Sequence, residues 1–309
     1  MLFWLFFFSI VTGAYANGRR YDSIASIEDQ SSSRGIVAVV GPTASGKSAR
    51  AVELALERGG EIISVDSRQV YRTLDIGTEK ISPDKMRGVP HHLIDIREPE
   101  ESYSAGDFVQ DASRLIADLH ARGKLPILAG GTHFYFDALV NGLPEHAPAN
   151  PALRAELEPL PAEELFARLQ AADPRRAEHI DPRNKRRLVR ALEIAAVHGS
   201  VKPRAKRASP YSIEWLVIDP PKEVLRERID ARLAAALERG LVEEVRRVRS
   251  RVGDSRLAEF GLEYRIVGEY LRGERDEASL MPAMSSKLWH YARHQKSWLR
   301  RLVSPDVLA

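Results

Sequence analysis

Residues 41 to 48 combine two glycines, a lysine and a serine at the spacing G-x-x-x-x-G-K-S, which suits phosphate binding. Glycines let the backbone wrap closely around an anion, so that successive backbone N–H groups face it. A helix beginning near Gly46 adds the positive end of its dipole, Lys47 adds a full charge, and the Ser48 hydroxyl is a suitable Mg²⁺ ligand. The segment therefore predicts binding of a di- or triphosphate. The predicted phosphate-binding residues are Gly41, Pro42, Thr43, Ala44, Ser45, Gly46, Lys47 and Ser48.

Asp66 is the second candidate for chemistry, because it ends an apolar run that predicts a strand over residues 61–65. A carboxylate at this place can hold a metal-bound water or take a proton from an attacking nucleophile. Asp is also a good helix N-cap, and position alone does not separate the catalytic role from the capping role.

The elements around these residues alternate between apolar strands and amphipathic helices. The pattern predicts strands at 35–40, 61–65, 125–129 and 213–218, and helices at 46–58 and 105–122. This order indicates an α/β fold, a P-loop NTPase-like parallel sheet flanked by helices. Ligands of such sheets bind at the carboxyl ends of the strands. We therefore expect the loop at 41–48, Asp66 and Thr132 to converge on one cleft.

The chain is expected to divide into an extension, a core and an insertion. Seven prolines between 144 and 182 predict a small helical insertion domain over 141–182, with a helix at 162–172. The core then comprises residues 35–140 and 183–309, with an exposed basic loop at 202–207 and, apart from the strand at 213–218, a strongly helical remainder to about 302. Residues 1–34 form a disordered or signal-like extension. Its apolar run has no preceding positive charge, so we do not expect a working export signal and predict a cytoplasmic protein.

Composition narrows the class of protein. In 309 residues, 44% are hydrophobic and 29% are charged, as in globular proteins. The chain has no cysteine, which excludes disulfides, thiolate catalysis and cysteine-ligated zinc. The formal net charge is only +3, so it gives weak support at most to a polyanionic partner.

Several segments together resemble the tRNA dimethylallyltransferase family, also called IPP transferases. The resemblance covers residues 35 to 302 and is far more specific than the phosphate loop alone. It departs from the commoner family pattern at 260–265, where a Gly-Tyr pair and a basic residue are usual. The matching segments, in order and spacing, are 41–48, 66–78, 88–96, 103–105, 130–132, 181–193 and 292–300.

The resemblance implies a reaction. The family moves a dimethylallyl group from dimethylallyl diphosphate to the exocyclic amine of an adenosine next to the anticodon of tRNA, and diphosphate is released. Lys47, the loop amides and Mg²⁺ on Ser48 would then stabilise the leaving group. Asp66 would deprotonate the amine, while Thr43 and Thr132 would contact the diphosphate or the reacting centre. The resemblance also implies that Arg228 binds diphosphate, although a solvated helix charge is an equally simple interpretation.

The family also implies contacts to the anticodon stem-loop of tRNA. Asp66 to Gln69 would hold an extruded adenosine. Basic residues on one predicted helix and near 264 would contact the RNA, although a run of charges is usually only a solvated face. The predicted tRNA-binding residues are Asp66, Ser67, Arg68, Gln69, Thr132, Arg186, Arg187, Arg190, Tyr264 and Arg265.

Two surface assignments complete the expectations. The last helix carries Trp289, Tyr291 and Trp298 at helical spacing with apolar residues, so these aromatics are predicted to lie in the core. Glu243 and Glu244 are predicted to lie on a helix surface.

Alternative functions remain open at this point. A P-loop small-molecule kinase would use the same loop, and so would a non-catalytic nucleotide-binding module. A prenyltransferase of the same type could act on free adenine nucleotides. We favour tRNA, in a monomer with no membrane partner.

Overall fold

The computed structural model describes residues 35–143, 150–199 and 209–303. The predicted extension at 1–34, the whole of the predicted basic loop at 202–207 and the chain after 303 lie outside the described residues. Among the helices of the described ranges, none has the length and apolar character needed to cross a membrane.

A parallel sheet forms the centre of the described chain. Its strand order is β3-β2-β4-β1-β5, and each neighbouring pair is parallel. This confirms the predicted α/β fold of the P-loop NTPase type. Each of the four predicted strands is present within one residue of its predicted start. The strands are β1 Gly35–Val40, β2 Gly60–Ser64, β3 His91–His92, β4 Leu125–Gly130 and β5 Ser212–Val217.

Helices cover both faces of the sheet and continue beyond it. Three of them, α1, α3 and α6, follow the predicted ranges to within one residue. The helix α10 bends at Gly253, whose φ of 72° is outside the helical range. The helices are α1 Lys47–Arg58, α2 Pro83–Met86, α3 Ala105–Ala121, α4 His133–Asn141, α5 Pro151–Leu157, α6 Ala162–Ala172, α7 Pro174–Ala177, α8 Lys185–His198, α9 Lys222–Glu238, α10 Leu241–Leu257, α11 Leu262–Leu271 and α12 Leu280–Leu302.

Alternate residues of the strands face two different apolar clusters. Val37 and Val39 of β1 pack with the buried face of α1. Ile36, Ala38 and Val40 face a larger cluster that also contains residues of α3, α9, α10, α11 and α12. Burial on both faces explains why β1 is apolar without alternation, as expected for a parallel sheet.

A third apolar cluster lies in the segment where the insertion is predicted. Leu157, Leu165 and Leu169 of α5 and α6 pack on Leu188 and Leu192 of α8. The helices at 151–177 therefore share a core with α8. The boundaries of 141 and 182 for an insertion domain stay a prediction.

Candidate active site

The phosphate loop owes its shape to close backbone contacts. A Cβ at position 41 would approach the carbonyl oxygen of Ile218 to 2.5 Å, so only glycine fits there. Gly46 has a left-handed φ of 95° and forms the N-cap of α1, a conformation that glycine adopts without strain. The amino end of α1 consequently opens directly onto the loop, as an anion site requires.

Lys47 reaches back across the loop. Its Nζ donates to the carbonyl oxygen of Pro42 at 3.2 Å. Burial lowers the pKa of Lys47 to about 8, the Asp66 carboxylate opposes this shift, and the Arg232 guanidinium adds to it. These influences show that one carboxylate and one further cation lie near the lysine. An anionic ligand would favour the charged form of Lys47.

Asp66 follows β2 and caps the turn that it begins. Its Oδ1 accepts hydrogen bonds from the backbone N–H groups of Arg68 at 2.8 Å and Gln69 at 3.3 Å. Within the described residues, Oδ2 accepts no hydrogen bond. The two interpretations left open by the sequence are thus compatible, because one oxygen caps the turn and the other is available to a ligand.

Thr132 joins the ends of two strands. Its Oγ1 accepts a hydrogen bond from the backbone N–H of Ser67 at 3.0 Å. A Cβ at Gly130 would overlap the carbonyl of Val65, so glycine allows this close approach of the two chain segments. Thr132 and the Asp66 turn are therefore held together at the carboxyl edge of the sheet.

A cavity of ≈ 620 Å³ opens at this edge. Residues 43, 44 and 46–48 of the phosphate loop line it together with Asp66 and Gln69, as the parallel-sheet topology predicts, whereas Thr132 is not among the lining residues. Gln69 is itself held by the backbone, since its Nε2 donates to the carbonyl oxygens of Thr78 at 3.1 Å and Glu79 at 3.3 Å. The lining residues that concern the chemistry are Thr43, Ala44, Gly46, Lys47, Ser48, Asp66, Gln69 and Arg232.

The donor set of this cavity fits Mg²⁺. Ser48 and Asp66 offer a hydroxyl and a carboxylate to the same space. Mg²⁺ usually takes one or two such protein oxygens and completes its shell with water and substrate phosphates. Among the described residues, no group of three or more His, Asp or Glu side chains forms a protein-only metal cage.

Two arginines of α9 lie against the loop. Arg228 was predicted, and its Nη1 donates to the carbonyl oxygen of Ser45 at 3.1 Å. Arg232, one helical turn later, was not predicted, and its Nη1 donates to Thr43 Oγ1 at 2.6 Å. The spacing of four residues after Arg228 is a signal that could have identified it.

Gln295 of α12 was also missed. Its Oε1 accepts from the backbone N–H of Thr43 at 2.8 Å, and its Nε2 donates to the carbonyl oxygen of Gly131 at 3.0 Å. The last described helix thereby joins the phosphate loop to the end of β4. A polar residue at a core-facing position of a helix, between Ala292 and Leu299, was the available signal.

The predicted RNA-binding residues fall in different places. Arg186 and Arg187 are exposed on α8, and Arg265 is exposed on α11. Arg190 also lies on α8, where its Nη1 donates to the buried Glu193 at 3.1 Å. These four residues are not brought into the cavity at 41–66.

Tyr264 is placed unlike an RNA contact. Its side chain is 0% exposed, and its hydroxyl donates to Glu244 Oε1 at 2.6 Å. It offers RNA no surface, so this predicted contact is not retained.

Two surface predictions were wrong. Glu244 is buried, because it accepts from the backbone N–H groups of residues 75, 76 and 77 as well as from Tyr264. Tyr291 is 43% exposed, whereas Trp289 packs against the main apolar cluster as predicted. Helical spacing alone did not distinguish the buried face from the exposed face of α10 or of α12.

The chain is similar to known proteins over most of its length. A model of the family described as IPP transferase matches residues 69–302. A protein of Thermomicrobium roseum named tRNA dimethylallyltransferase is 45% identical over 276 residues, which are 86% of this chain and 84% of that protein. A protein of the same name from Anaeromyxobacter dehalogenans is 43% identical over 276 residues, covering 86% of this chain and 92% of that one.

Solved structures show the same likeness. A tRNA isopentenylpyrophosphate transferase from Bacillus halodurans matches with a TM-score of 0.66 and 37% identity, over 86% of this chain and 87% of that chain. A eukaryotic dimethylallyltransferase acting on tRNA matches with a TM-score of 0.72 and 25% identity, over 86% of this chain and 70% of that chain.

Proposed function

This chain belongs to the IPP transferase family, and we propose that its cleft transfers a dimethylallyl group from dimethylallyl diphosphate to an exocyclic amine of tRNA. The acceptor is proposed to be the adenosine next to the anticodon. One observation carries this assignment to the cleft: Asp66 lines the same cavity as Lys47, Ser48 and other residues of the phosphate loop. A base and a leaving-group site would thus share one cavity.

The loop and its arginines would hold the diphosphate. Lys47 supplies one cation, and Arg232 supplies a second from α9. The amides of residues 44 and 46 to 48 and the amino end of α1 add fixed dipoles. Such preorganised N–H groups and cations stabilise the charge on the departing diphosphate oxygen more than they stabilise intact dimethylallyl diphosphate. This difference lowers the activation barrier of the transfer.

Asp66 would act on the acceptor amine. The amine nitrogen bonds to the allylic carbon of the donor while the bond from that carbon to the diphosphate oxygen breaks. The amine loses a proton, and Asp66 Oδ2 is the proposed acceptor because Oδ1 is occupied by the turn. A positioned base typically contributes about 10² to 10⁴ in rate.

Thr132 would keep the Asp66 turn in place, since it accepts from the N–H of Ser67. Ser48 would hold Mg²⁺ through its hydroxyl. When bound, this ion would supply positive charge near the diphosphate oxygens.

A tRNA acceptor suits this chain better than a free nucleotide. Arg186 and Arg187 are exposed on α8, outside the cavity that would hold the donor. A free nucleotide would not need cations there, whereas an RNA stem-loop has phosphates that extend beyond one base. The structural neighbour acting on tRNA supports the same choice.

The test is a nucleoside analysis. The purified protein is incubated with tRNA, dimethylallyl diphosphate and Mg²⁺, and the RNA is digested for mass spectrometry. We expect adenosine heavier by one dimethylallyl group in place of one hydrogen, and equimolar diphosphate. Modification of AMP but not of tRNA would favour the free-nucleotide alternative, and phosphoryl transfer from ATP would favour a kinase.

A further inference from the structure

Arg232 is held from two sides at the rim of the phosphate loop. Its Nη1 donates to Thr43 Oγ1 at 2.6 Å, and its Nη2 donates to Glu263 Oε1 at 3.2 Å. The three residues come from the loop, α9 and α11. Glu263 is thus linked to the proposed donor site through one guanidinium, although it is absent from the cavity wall.

The ion pair is not an ordinary surface pair. The side chain of Arg232 is 19% exposed and that of Glu263 is 13% exposed. Burial raises the pKa of the Glu263 carboxyl, and the charge of Arg232 opposes this rise. A carboxylate kept in such a place is usually paired.

The helix that carries Glu263 has a fixed position. The next residue, Tyr264, is buried in the main cluster and bonded to Glu244. Gly261, with a φ of 126°, allows the chain to turn into α11 just before Glu263. Glu263 therefore approaches Arg232 from a rigid support.

Arg232 needs such support because another cation is close. Its charge lowers the pKa of Lys47, which shows that the two cations repel each other. A counter-charge offsets this repulsion. Glu263 supplies one through its ion pair with Arg232, from outside the residues that line the cavity.

We propose that Glu263 is a positioning residue that holds Arg232 beside Thr43, so that its remaining N–H groups meet the diphosphate of the donor. The inference rests on the proposed function. A guanidinium is a planar fork of five donors, so fixing two of its edges sets the direction of the rest. The Arg232 side chain is then already ordered before the diphosphate binds, so binding loses less side-chain entropy.

Diphosphate binding and catalysis are measured in the full-length protein. Glu263→Ala is expected to raise the Kd for inorganic diphosphate about tenfold and to lower kcat/KM for dimethylallyl diphosphate by a similar factor. Glu263→Gln keeps an oxygen that accepts from Nη2, so it should recover part of the loss. Glu269→Ala is the control, because Glu269 lies on the same helix and pairs with Arg275.

The decisive comparison uses Arg232→Ala. If Glu263 acts through Arg232, adding Glu263→Ala to Arg232→Ala changes neither Kd nor kcat/KM further. Equal losses from Glu263→Ala with and without Arg232 would overturn the proposal, and so would an unchanged Kd in both Glu263 variants. Melting temperatures are measured alongside, and if the Ala variant does not fold, the Gln variant in both backgrounds gives the same comparison.

Failure of the proposed function would look different. In that case the unaltered protein would bind no inorganic diphosphate and would not modify tRNA. Diphosphate binding that is normal in the unaltered protein and in the Glu263 variants would overturn the positioning role alone.

Discussion

At the scale of single residues, the two carboxylate oxygens of Asp66 have different roles. Asp66 uses Oδ1 to cap the turn at 66–69, and Oδ2 remains for the proposed base. A residue with both tasks cannot be tested by deletion alone, because removing the carboxylate also loosens the turn. An isosteric change separates the tasks.

Asp66→Asn keeps an oxygen for the N–H groups of Arg68 and Gln69 and removes the basic carboxylate. We expect kcat to fall by about 10² to 10⁴, while Kd for inorganic diphosphate changes by less than about threefold. Rapid-quench measurement of transfer and calorimetric titration of diphosphate check the two numbers. Transfer at the original rate would mean that another group takes the proton.

His133 provides a pH test of the packing behind the loop. It is 5% exposed, and its Nε2 has no partner within the described residues. Burial lowers the pKa of His133 to about 4, and Lys47 adds to this shift. The unfolded chain takes up the proton near pH 6.5, so stability is complete above pH 6.5 and is lost as pH falls toward 4.

We therefore expect His133 to account for a loss of about 2 kcal/mol in the free energy of unfolding between pH 7 and pH 5. The leucine variant, His133→Leu, should lack this part of the pH dependence. Urea unfolding at both pH values measures the difference. Equal pH dependence in the two proteins would show that the histidine is protonated in the fold or titrates alike in both states.

At the scale of elements, one buried carboxylate attaches α10 to the segment that follows the Asp66 turn. Glu244 accepts from the N–H groups of Asp75 at 2.9 Å, Ile76 at 2.7 Å and Gly77 at 2.9 Å. A Cβ at Gly77 would stand 2.7 Å from the ring of Tyr264, so the segment fits only with glycine there. This packing holds residues 78 and 79, whose carbonyls orient Gln69.

Glu244→Ala should lower the free energy of unfolding by about 3 kcal/mol, because the backbone N–H groups of residues 75 to 77 and the buried Tyr264 hydroxyl lose their acceptor. The neighbouring Glu243→Ala is the matched control, since Glu243 is exposed and pairs only with Arg246 among the described residues. It should change stability by less than about 0.5 kcal/mol. Urea unfolding at pH 7 measures both variants, and equal effects would contradict the assigned role of Glu244.

The sequence predicted elements better than it predicted their connections. Four of the five described strands, α1 and α3 were visible because apolar periodicity, glycines and the phosphate motif are local signals, whereas the two-residue β3 was not predicted. The meeting of Asp66 with the loop followed from parallel topology. The Arg232–Thr43 contact spans 189 residues and the Gln295–Thr43 contact spans 252, and no local pattern specifies such pairs.

At the scale of the whole molecule, attraction to RNA has to come from the placement of charge. The chain carries 46 basic and 43 acidic residues, so its net charge alone gives little attraction. Many of the acidic side chains form salt bridges with arginines, as the buried Glu193 does with Arg154. Arg186 and Arg187 at the amino end of α8 are exposed cations in a helix that the donor cavity does not include.

Changing Arg186 and Arg187 together to Gln should weaken tRNA binding and reduce the slope of log Kd against log salt by about 1 to 2. Diphosphate binding should stay the same. The control is the double variant Arg58→Gln and Lys124→Gln, which removes the same number of positive charges. These two residues lie where α1 ends and β4 begins, at the edge of the sheet away from the cavity. Filter binding of tRNA between 50 and 300 mM salt gives the slopes, and identical slopes in all three proteins would remove α8 from the RNA interface.

Gln295 of α12 bonds both to Thr43 of the phosphate loop and to Gly131 after β4, and this has a consequence for synthesis of the protein. A ribosome completes the sheet and the phosphate loop long before it reaches α12, yet the N–H of Thr43 and the carbonyl of Gly131 obtain their shared partner only from α12. A nascent or truncated chain would therefore hold a glycine-rich loop of the right sequence without its finished shape. Capture of the prenyl diphosphate would begin only once α12 has been made and has packed against the loop.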